Sequence, residues 1–425
     1  MKIRIIFALM SVVALAAVGT YPMDASSAQA VTQAVKADAV PGQYIVVFHD
    51  DVADVDAATD EMEKNHGLGV LQRYGHAIKG FAATIPEAAL DTIRNDPRVA
   101  FISEDYLVYA QGKPEEIVQA AQVIPTGIQR VMGLSTPTNK GTGIGVAVID
   151  TGIDLSHPDL KANIAAASKT CVRGTKSAND DNGHGAHVAG TIAALDNGIG
   201  VIGVAPEAKL FAVKVLNKYG MGTWSGVICG IDWVTANAAT YGIKVANMSL
   251  GGGGASDNNC GNTNNDALHK AICRSTAAGV TYVVAAGNSA ADTASAVPAA
   301  YDDTVVTVSA LADSDGQAYG NGPATPYGPD DTFATFSNYG SAVDLGAPGV
   351  QILSTWKGGG YNTISGTSMA APHVAGAAAL YSKSHPGTTW TQVRDGLKAL
   401  GELLNLGHTD PSGMHPENVL QTGAL

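Results

Sequence analysis

From about residue 121 onward, the chain alternates short apolar segments with longer segments rich in alanine and glycine. The apolar segments contain many β-branched residues, as in VAVID at 146–150 and VTYVVAAG at 280–287. The segments between them have helical character, as in HVAGTIAAL at 187–195 and PHVAGAAALYSKS at 372–384. Strands that are apolar along their whole length are typical of a parallel sheet covered by helices on both faces. The alternation therefore predicts an α/β fold with a mainly parallel sheet.

Residues 42–110 form a smaller pattern ahead of that region. Five segments alternate between strand-like and helix-like patterning, at 43–50, 57–66, 78–85, 87–96 and 99–110. This order approximates the β-α-β-β-α-β layout of a ferredoxin-like α+β module. Residues 111–128 are polar and loosely patterned, which predicts a linker between the two regions.

The first 30 residues have the pattern of a secretory signal peptide. Lys2 and Arg4 precede an apolar run at 5–18, and the small residues SAQA follow at 27–30. A membrane anchor is the alternative, but a span needs about 18 uninterrupted apolar residues. We therefore expect a secreted, extracellular protein with no membrane attachment once residues 1–30 are removed.

The composition limits the classes of partner. The chain has 425 residues, of which 50 are glycine and 15% are charged, and its net charge is −13. Such a composition suits a compact enzyme with many tight turns and is unlike that of a disordered chain. A nucleic-acid partner is not expected, because binding to phosphates needs a basic surface.

The four cysteines are expected to form disulfides, because their number is even and an exported protein folds in an oxidising compartment. Cys260 and Cys273 are close in sequence and flank a polar segment, so they are the first predicted pair. Cys171 and Cys229 are the second pair by elimination. A zinc site built from these cysteines is not expected, since no CxxC pair occurs.

Four polar side chains lie where strands end or helices begin. Asp150 ends one strand, Asn288 follows another, and His184 and Ser368 stand at the entrances of two alanine-rich helices. Functional groups of α/β sheets cluster at the carboxyl ends of the strands, so these four are expected to converge. Taken singly, each has an ordinary alternative: a cap for Asp150 and Ser368, and a structural role in the core for His184.

Together, the four side chains supply what a serine nucleophile needs. A hydroxyl requires a base such as imidazole, and the imidazole requires a carboxylate that orients it and stabilises its charged form. The tetrahedral intermediate requires donors to its oxyanion, which an asparagine amide and a backbone N–H can supply. Ser368, His184, Asp150 and Asn288 match these requirements in type.

Five motifs in this region resemble those of the subtilisin-like serine proteases, the subtilase or peptidase S8 family. They are VIDTGID at 148–154, HGAHVAG at 184–190, NMSLGG at 247–252, VVAAGN at 283–288 and ISGTSMAAPHVAGAAAL at 364–380. The resemblance extends from about Gln122 to the C-terminus, and residues 42–110 resemble the inhibitor I9-type propeptide of such enzymes. It implies a subtilisin-like three-layer fold and a preproenzyme. Its parts are a signal peptide at 1–30, a propeptide at 31–120 and a catalytic domain at 121–425.

The resemblance assigns roles to the four polar residues. Asp150 orients His184, His184 takes the proton of Ser368, and the oxyanion is held by Asn288 and the backbone N–H of Ser368. One position departs from the family pattern, because Ala186 stands where a threonine is usual. Since Ala186 is not one of the catalytic groups, we expect a modest effect on activity at most.

The resemblance also implies a cleft that holds an extended substrate by strand pairing. The residues that line it are Gly220, Met221, Gly222, Ser249, Leu250, Gly251, Gly252, Ala286 and Gly287. Glycines on a pocket wall leave room for a large side chain. We therefore expect broad cleavage of proteins and peptides after large apolar or aromatic residues.

A structural calcium site is implied by the same resemblance, with no organic cofactor. Its ligands are the side chains of Gln122, Asp159 and Asn197 and the carbonyl groups of Leu195, Ile199 and Val201. Because Gln122 lies at the expected mature N-terminus, the site is expected to form only after the propeptide has been cut off near 119–121. The alternative is an ordinary acidic surface turn.

The resulting prediction is a secreted, monomeric serine endopeptidase (EC 3.4.21) that processes itself and is inhibited by its own propeptide. The main alternative is a catalytically silent homologue that acts as a secreted binding protein, which would be marked by loss of a triad residue. Metal catalysis by His184 and His187 is not expected, because no HExxH motif and no third ligand occur in the sequence.

Overall fold

The computed structural model describes residues 38–110, 113–117, 121–133 and 138–425. The predicted signal peptide at 1–30 lies outside these residues. Among the helices of the described part, none is both long enough and apolar enough to cross a membrane.

The described residues form nineteen strands, eight α-helices and two short 3-10 helices. The strands are β1 Ala39–Phe48, β2 Gly69–Tyr74, β3 Gly80–Thr84, β4 Val99–Ala110, β5 Lys113–Ile117, β6 Gly145–Asp150, β7 Lys169–Thr170, β8 Lys209–Lys214, β9 Met221–Thr223, β10 Ile243–Met248, β11 Leu250–Gly253, β12 Thr281–Ala285, β13 Ala296–Val297, β14 Val305–Ala312, β15 Thr332–Phe333, β16 Leu345–Pro348, β17 Ile352–Trp356, β18 Gly360–Ser365 and β19 Asn418–Val419. The helices are α1 Val55–His66, α2 Glu87–Arg94, α3 Thr126–Met132, α4 His184–Ala193, α5 Trp224–Tyr241, α6 Ala267–Ala277, α7 Thr367–Ser384 and α8 Trp390–Leu400, with 3-10 turns at Thr293–Ser295 and Lys357–Gly359.

The N-terminal module is a four-stranded antiparallel sheet with two helices. Its strand order is β2-β3-β1-β4. Phe48, Met62, Phe81 and Ile93 are buried between sheet and helices and form a core of their own. The order β-α-β-β-α-β agrees with the predicted ferredoxin-like layout, although the sequence pattern assigned no residues to β2.

A parallel sheet forms the centre of the larger region. Its strand order is β19-β16-β14-β12-β10-β6-β8-β7, and only the short β15 pairs antiparallel to it. Side chains alternate between the two faces: Val146 and Val148 of β6 pack with α4 and α7, whereas Ala147 and Ile149 pack with α5 and α6. All six residues of β6 are buried, and helices cover both faces of the sheet. This confirms the predicted α/β fold.

The predicted linker contains one element that the sequence pattern did not indicate. β5 pairs antiparallel with β18, which also pairs with β17, and the three form a separate small sheet. Without β5, β18 would be an edge strand with unpaired N–H and C=O groups, and a polar segment can satisfy such groups through its backbone alone. The pairing therefore needs no apolar pattern in the linker.

Both disulfides occur in the larger region. Cys171 is joined to Cys229, which links the loop after β7 to α5. Cys260 is joined to Cys273, which lies 13 residues further along the chain in α6. The described cysteines contain no free thiol.

Candidate active site

The carboxyl ends of three neighbouring parallel strands form the floor of the site. β6, β10 and β12 are adjacent in the sheet. Asp150 is the last residue of β6, Ser249 directly follows β10, and Asn288 lies three residues beyond β12. Parallel strands deliver their carboxyl ends to one edge, so residues far apart in sequence meet there.

Asp150 and His184 are in direct contact. Asp150 Oδ1 lies 2.8 Å from His184 Nδ1 and also accepts a hydrogen bond from the N–H of Thr151 at 2.7 Å. Both side chains are buried. With Nδ1–H donated to the carboxylate, Nε2 is the basic nitrogen of the ring.

A second buried aspartate shapes the loop that leads to His184. Asp180 Oδ1 accepts hydrogen bonds from the N–H of Gly183 and the hydroxyl of Thr151, both at 2.9 Å. Its Oδ2 accepts from the N–H of Ala186 at 2.8 Å, in the first turn of α4. Gly183 has φ 118° and packs so closely on Trp356 that a Cβ atom would clash with the ring. Asp180 therefore fixes the start of α4, and the sequence analysis did not identify it.

Ser368 is the second residue of α7, and its hydroxyl does not cap the helix. Ser368 Oγ donates to the carbonyl oxygen of Ser249 at 3.0 Å. In return, Ser249 Oγ donates to the carbonyl oxygen of Ser368 at 2.8 Å. That carbonyl would normally accept from residue 372, but Pro372 has no N–H to donate. Ser249 thus holds the nucleophile candidate from two sides.

Asn288 is oriented by the residue before Ser368. Its Oδ1 accepts from the N–H of Thr367 at 2.9 Å and from the hydroxyl of Thr367 at 2.8 Å. The hydroxyl of Thr367 also accepts from the N–H of Gly287 at 3.0 Å. Because Oδ1 accepts both hydrogen bonds from Thr367, the Nδ2 end of the amide points away from Thr367.

Asn338 supports the loop that carries Asn288. Its Nδ2 donates to the carbonyl of Ala286 at 3.0 Å, and its Oδ1 accepts from the N–H of Ser289 at 2.9 Å. The sequence analysis missed Asn338, because it lies 50 positions away and carries no local signal.

Both backbone polar groups of Ala186 are satisfied at this departure from the family pattern. The side chain is fully buried, the N–H donates to Asp180, and the carbonyl accepts from Thr355 Oγ1 at 2.7 Å. The first turn of α4 is therefore held through the backbone at this position, whichever side chain it carries.

Two further buried histidines, His187 of α4 and His373 of α7, have structural roles. His187 Nε2 is 2.9 Å from the carbonyl oxygen of Ile352, and burial lowers the pKa of His187 to about 3. His373 on α7 contacts the carbonyl of Met369 at 2.8 Å, and burial lowers its pKa to about 4. Both rings are therefore neutral near pH 7 and serve as hydrogen-bonding core residues.

A cavity of about 120 Å³ lies beside Asn288, between β11 and the loop after β12. From the larger region it is lined by Leu250, Gly251, Gly252, Gly253, Ala285, Ala286, Gly287, Asn288, Ser289, Ala291, Ser295, Ala296, Val297, Ala299 and Asn338. None of these residues is charged, although Asp38, Leu107 and Tyr109 of the N-terminal module also line the cavity. The cavity therefore suits an apolar side chain better than a cationic one.

The N-terminal module is docked on α5 through two carboxylates. Asp105 of β4 accepts from Ser225 N at 2.9 Å and from Ser225 Oγ at 2.6 Å, at the N-terminus of α5. Further along α5, Asp232 accepts from the N–H groups of His76 and Ala77, both at 2.6 Å. A carboxylate at a helix N-terminus is favoured by the helix dipole, although burial raises the pKa of Asp105. These contacts position β4 at the cleft.

The six predicted calcium ligands lie around one loop. Gln122 Nε2 donates to the carbonyls of Leu195 at 2.9 Å and Val201 at 3.3 Å. Asp159 Oδ2 accepts from the N–H of Val201 at 2.9 Å, and Asn197 Oδ1 accepts from the N–H of Ile199 at 3.0 Å.

Asp159 supplies the test of whether these residues fit a cation. Its Oδ1 is buried and has no hydrogen-bond donor among the described residues. Burial raises the pKa of Asp159, and the hydrogen bonds from the N–H of Val201 and the hydroxyl of Tyr361 oppose that shift. Carbonyl groups that converge beside an unsatisfied carboxylate oxygen suit a hard cation, and Gln122 would join them by presenting Oε1 in place of Nε2.

One expectation about this cage does not hold. Gln122 reaches the carbonyls of Leu195 and Val201 in the uncut chain, and Val123 pairs with Val201. Assembly of the cage therefore does not require prior cleavage. The physical reason is β5, which gives the linker its own path along β18.

A further acidic cluster, Asp313, Asp315 and Asp330, is partly neutralised by the protein itself. Arg130 Nε lies 2.8 Å from Asp313 Oδ2, and the guanidinium is completely buried. Burial raises the pKa of Asp313 to about 7. Arg130 also contacts Asp331 and Glu402, so its single positive charge neutralises this cluster only in part.

Comparison with known proteins agrees with this geometry. The model of the subtilase family (Peptidase S8) matches residues 141–400, and that of peptidase inhibitor I9 matches residues 43–111. Subtilisin NAT of Bacillus subtilis subsp. natto is 37% identical over 367 residues, which are 85% of this chain and 86% of that protein. Alkaline protease of Shouchella clausii is 36% identical over 383 residues, 87% of this chain and 88% of that protein.

A solved structure gives the same result. The crystal structure of a cold adapted subtilisin-like serine proteinase matches with a TM-score of 0.57 and 36% identity, covering 70% of this chain and 97% of that chain. Both the family model and the relatives span well over half of the chain. The chain therefore belongs to the subtilase family of serine endopeptidases and carries an I9-type propeptide module at its N-terminal side.

Proposed function

We propose that the protein is a secreted endopeptidase of broad specificity that hydrolyses peptide bonds through Ser368, His184 and Asp150. The observation that carries this proposal is the 2.8 Å contact between Asp150 Oδ1 and His184 Nδ1. It fixes the imidazole in the tautomer whose Nε2 can accept a proton. Ser368 is held by its two hydrogen bonds with Ser249.

The chemistry begins when the Ser368 hydroxyl turns from Ser249 O to His184 Nε2 and gives its proton to that nitrogen. Ser368 Oγ then forms a bond with the substrate carbonyl carbon, and the imidazolium protonates the departing amine. Water hydrolyses the resulting ester, gives its proton to His184 and restores the Ser368 hydroxyl. Asp150 stabilises the imidazolium in both steps and keeps its own negative charge.

Asn288 and the backbone N–H of Ser368 are the proposed donors to the oxyanion. The support for Asn288 is its double contact with Thr367, which holds the amide before any substrate arrives. Donors that are already oriented lose no energy to reorganisation in the transition state.

The specificity proposal is cleavage after large apolar residues. It rests on the uncharged lining that the larger region gives to the cavity beside Asn288. β9 and β11 are proposed to hold the substrate backbone, because the cleft between them already accommodates an antiparallel strand. Peptide-library cleavage dominated by lysine or arginine at P1 would contradict this proposal.

The proposed function is tested by a serine-reactive phosphonate that carries a large apolar side chain. Because Ser368 is the proposed nucleophile, mass spectrometry should find the adduct on the peptide that contains Ser368. Ser382→Ala removes a buried hydroxyl from the same helix and should still be labelled, whereas Ser368→Ala should not. A catalytically silent homologue would give no adduct.

We also propose a structural calcium ion held by Gln122, Asp159, Asn197 and the carbonyls of Leu195, Ile199 and Val201. The unsatisfied oxygen of Asp159 supports this assignment. The cation would tie the segment after the linker to the loop at 195–201.

Removal of calcium is expected to lower the melting temperature by about 3–4 °C. A ligand present at about 100 times its dissociation constant stabilises the folded state by about 2.7 kcal/mol, which corresponds to a shift of that size. Calorimetry of the Ser368→Ala protein, with and without chelator, avoids self-digestion. Gln122→Ala should reduce the chelator effect and Gln129→Ala should preserve it. Identical melting curves with and without chelator would contradict the site.

The remaining assignments complete the proposed precursor. Residues 1–30 are the proposed signal for export, and 31–120 are the proposed propeptide, which blocks the cleft of the catalytic domain at 121–425. The contacts of Asp105 and Asp232 support inhibition, because they hold β4 in the position of a substrate. We propose that the processed enzyme acts on proteins and peptides as a monomer.

A further inference from the structure

A lysine is buried at the end of β8, beside the strand that carries Asp150. Lys214 is the last residue of β8 and lies opposite Asp150 in the parallel pairing of β6 and β8. Only 1% of the residue is exposed. Lysine is almost never fully buried unless it is paired, because desolvation of an ammonium group is costly. Burial of Lys214 therefore requires strong partners.

Three oxygen atoms accept hydrogen bonds from the ammonium group of Lys214. They are the carbonyl oxygen of Thr151 at 2.5 Å, Asp181 Oδ1 at 2.6 Å and the carbonyl oxygen of Leu216 at 3.0 Å. An ammonium group has three N–H donors, so all of them are used. Asp181 supplies the opposite charge, although 46% of its side chain is exposed. The cation is therefore satisfied in hydrogen bonds, while its counter-ion Asp181 lies half in solvent.

Two of these acceptors belong to the backbone that holds Asp150. Thr151 directly follows Asp150, and its N–H donates to Asp150 Oδ1 at 2.7 Å while its carbonyl accepts from Lys214. The N–H groups of Val215 and Leu216 donate to the carbonyl of Asp150 at 2.9 and 3.1 Å. Because Lys214 binds the carbonyls of Thr151 and Leu216, it fixes both backbone segments that contact Asp150.

The third acceptor belongs to the loop that leads to His184. Asp181 lies three residues before His184, and the Oδ1 atom of Asn182 between them accepts from the N–H of His184 at 3.1 Å. Lys214 is thus bonded both to the strand end of Asp150 and to the loop of His184. These are the two elements whose side chains meet at 2.8 Å.

We propose that Lys214 is a positioning residue of the Asp150–His184 pair, an inference that rests on the proposed function. Its ammonium group holds the two elements together, and its positive charge acts on the imidazole through the protein interior. Water and salt screen a buried charge poorly. Lys214 therefore opposes formation of the imidazolium, whereas the carboxylates of Asp150 and Asp181 favour it.

Other charged groups lie on the elements around Lys214. They are Asp150 of β6, Lys169 of β7, Asp180 and Asp181 of the loop before α4, His184 of α4, and Lys357 of the 3-10 turn. Lys357 donates to the carbonyl of Asp181 at 3.0 Å but is exposed, so water screens its charge. Asp180 is held by backbone N–H groups and the hydroxyl of Thr151. Lys214 and Asp181 are thus the charges that can be removed without changing the Asp150–His184 contact directly.

The test is the pH profile of kcat/KM for a peptide with a large apolar P1 residue, measured with the processed enzyme. Its acid limb reports protonation of His184, which removes the base. Lys214→Met removes a cation, so the imidazolium forms more easily and the limb should move to higher pH by at least about 0.5 unit. Asp181→Asn removes an anion and should move the limb to lower pH, by less because Asp181 is half-exposed. In the double variant the two shifts should partly cancel.

The two variants should also differ in kcat. Lys214→Met leaves the carbonyls of Thr151 and Leu216 without their donor, so kcat should fall by about 10²-fold, the effect of a misplacement of about 1 Å. KM should change much less. An asparagine at position 181 can still accept from Lys214 through its Oδ1, so Asp181→Asn should lose far less of its kcat.

Lys398→Met is the matched control. Lys398 Nζ lies 3.0 Å from Asp344 Oδ1, and Asp344 directly precedes β16, at the opposite edge of the sheet from Asp150. The substitution makes the same change in net charge far from the catalytic pair. The acid limb should therefore keep its wild-type position, even if the melting temperature falls.

The direction of the shifts separates the proposal from a purely structural ion pair. A structural pair would lower the melting temperature of both variants and leave both acid limbs at the wild-type pH. Unmoved limbs, or shifts in the same direction for Lys214→Met and Asp181→Asn, would overturn the proposal. If Lys214→Met fails to fold or to process itself, the shift of Asp181→Asn to lower pH decides the matter.

Phosphonate labelling separates this proposal from the proposed function. A protein that is labelled at Ser368 but whose acid limb does not respond to Lys214→Met or Asp181→Asn refutes only the role of Lys214. A wild-type protein that is never labelled refutes the proposed function as well.

Discussion

Ser368→Ala is expected to yield a folded precursor that accumulates without being cut. Alanine removes the nucleophile but leaves the Thr367–Asn288 contacts and the sheet intact. Peptide hydrolysis should fall by about 10⁶-fold, the loss measured when the triad serine of subtilisin itself is removed. The protein should still bind calcium, since Gln122 reaches its cage in the uncut chain.

The measurement is the mass of the purified variant over time, in isolation and at low concentration. Ser382→Ala, which changes a buried serine fourteen residues further along the chain, serves as the control and should process normally. Normal processing of Ser368→Ala under the same conditions would show that another group performs the cleavage.

Asp150→Asn is expected to slow self-cleavage and phosphonate labelling by about 10⁴-fold. The substitution preserves shape but removes the negative charge that faces His184 Nδ1 at 2.8 Å. The imidazolium that forms during proton transfer then loses its counter-charge in a buried site, where water cannot replace it. Strands β9 and β11 are unaffected, so KM for a peptide should change little while kcat falls.

Asp180→Asn is the matched control, because it makes the same chemical change at a neighbouring buried carboxylate. Asp180 binds the Thr151 hydroxyl and backbone N–H groups rather than the imidazole. Its substitution should lower the melting temperature, with a far smaller effect on kcat. Equal losses of kcat in the two variants would contradict the assigned role of Asp150.

Local sequence patterns were sufficient for the fold class. Val146 to Ile149 are apolar without interruption, which indicated a strand covered on both faces, and the structure buries alternate residues against opposite helix layers. The alanine-rich segment at 372–384 was predicted to be helical, and the structure places it in α7, which begins five residues earlier at Thr367. β2 and β5 were not visible, because their pairing depends on the backbone of partner strands rather than on a side-chain pattern.

The candidate site was only partly accessible from sequence. Asp150, His184, Ser368 and Asn288 were identifiable because their chemistry and their positions at element ends are local features. The supporting roles of four groups were found only in the structure. One of them, Ser249, had been predicted as a residue of the substrate cleft but not as the partner of Ser368. They are Asp180, Ser249 as the partner of Ser368, Thr367 and Asn338.

The sequence by itself determined most of the helices and strands, the identity of the polar groups and the family pattern, because periodicity and motif spacing depend on neighbours along the chain. The tertiary structure alone decided which groups meet. Ser249 and Ser368 are 119 residues apart, and Gln122 and Leu195 are 73 apart, yet they share hydrogen bonds. Such contacts depend on strand order and register, which no short segment encodes.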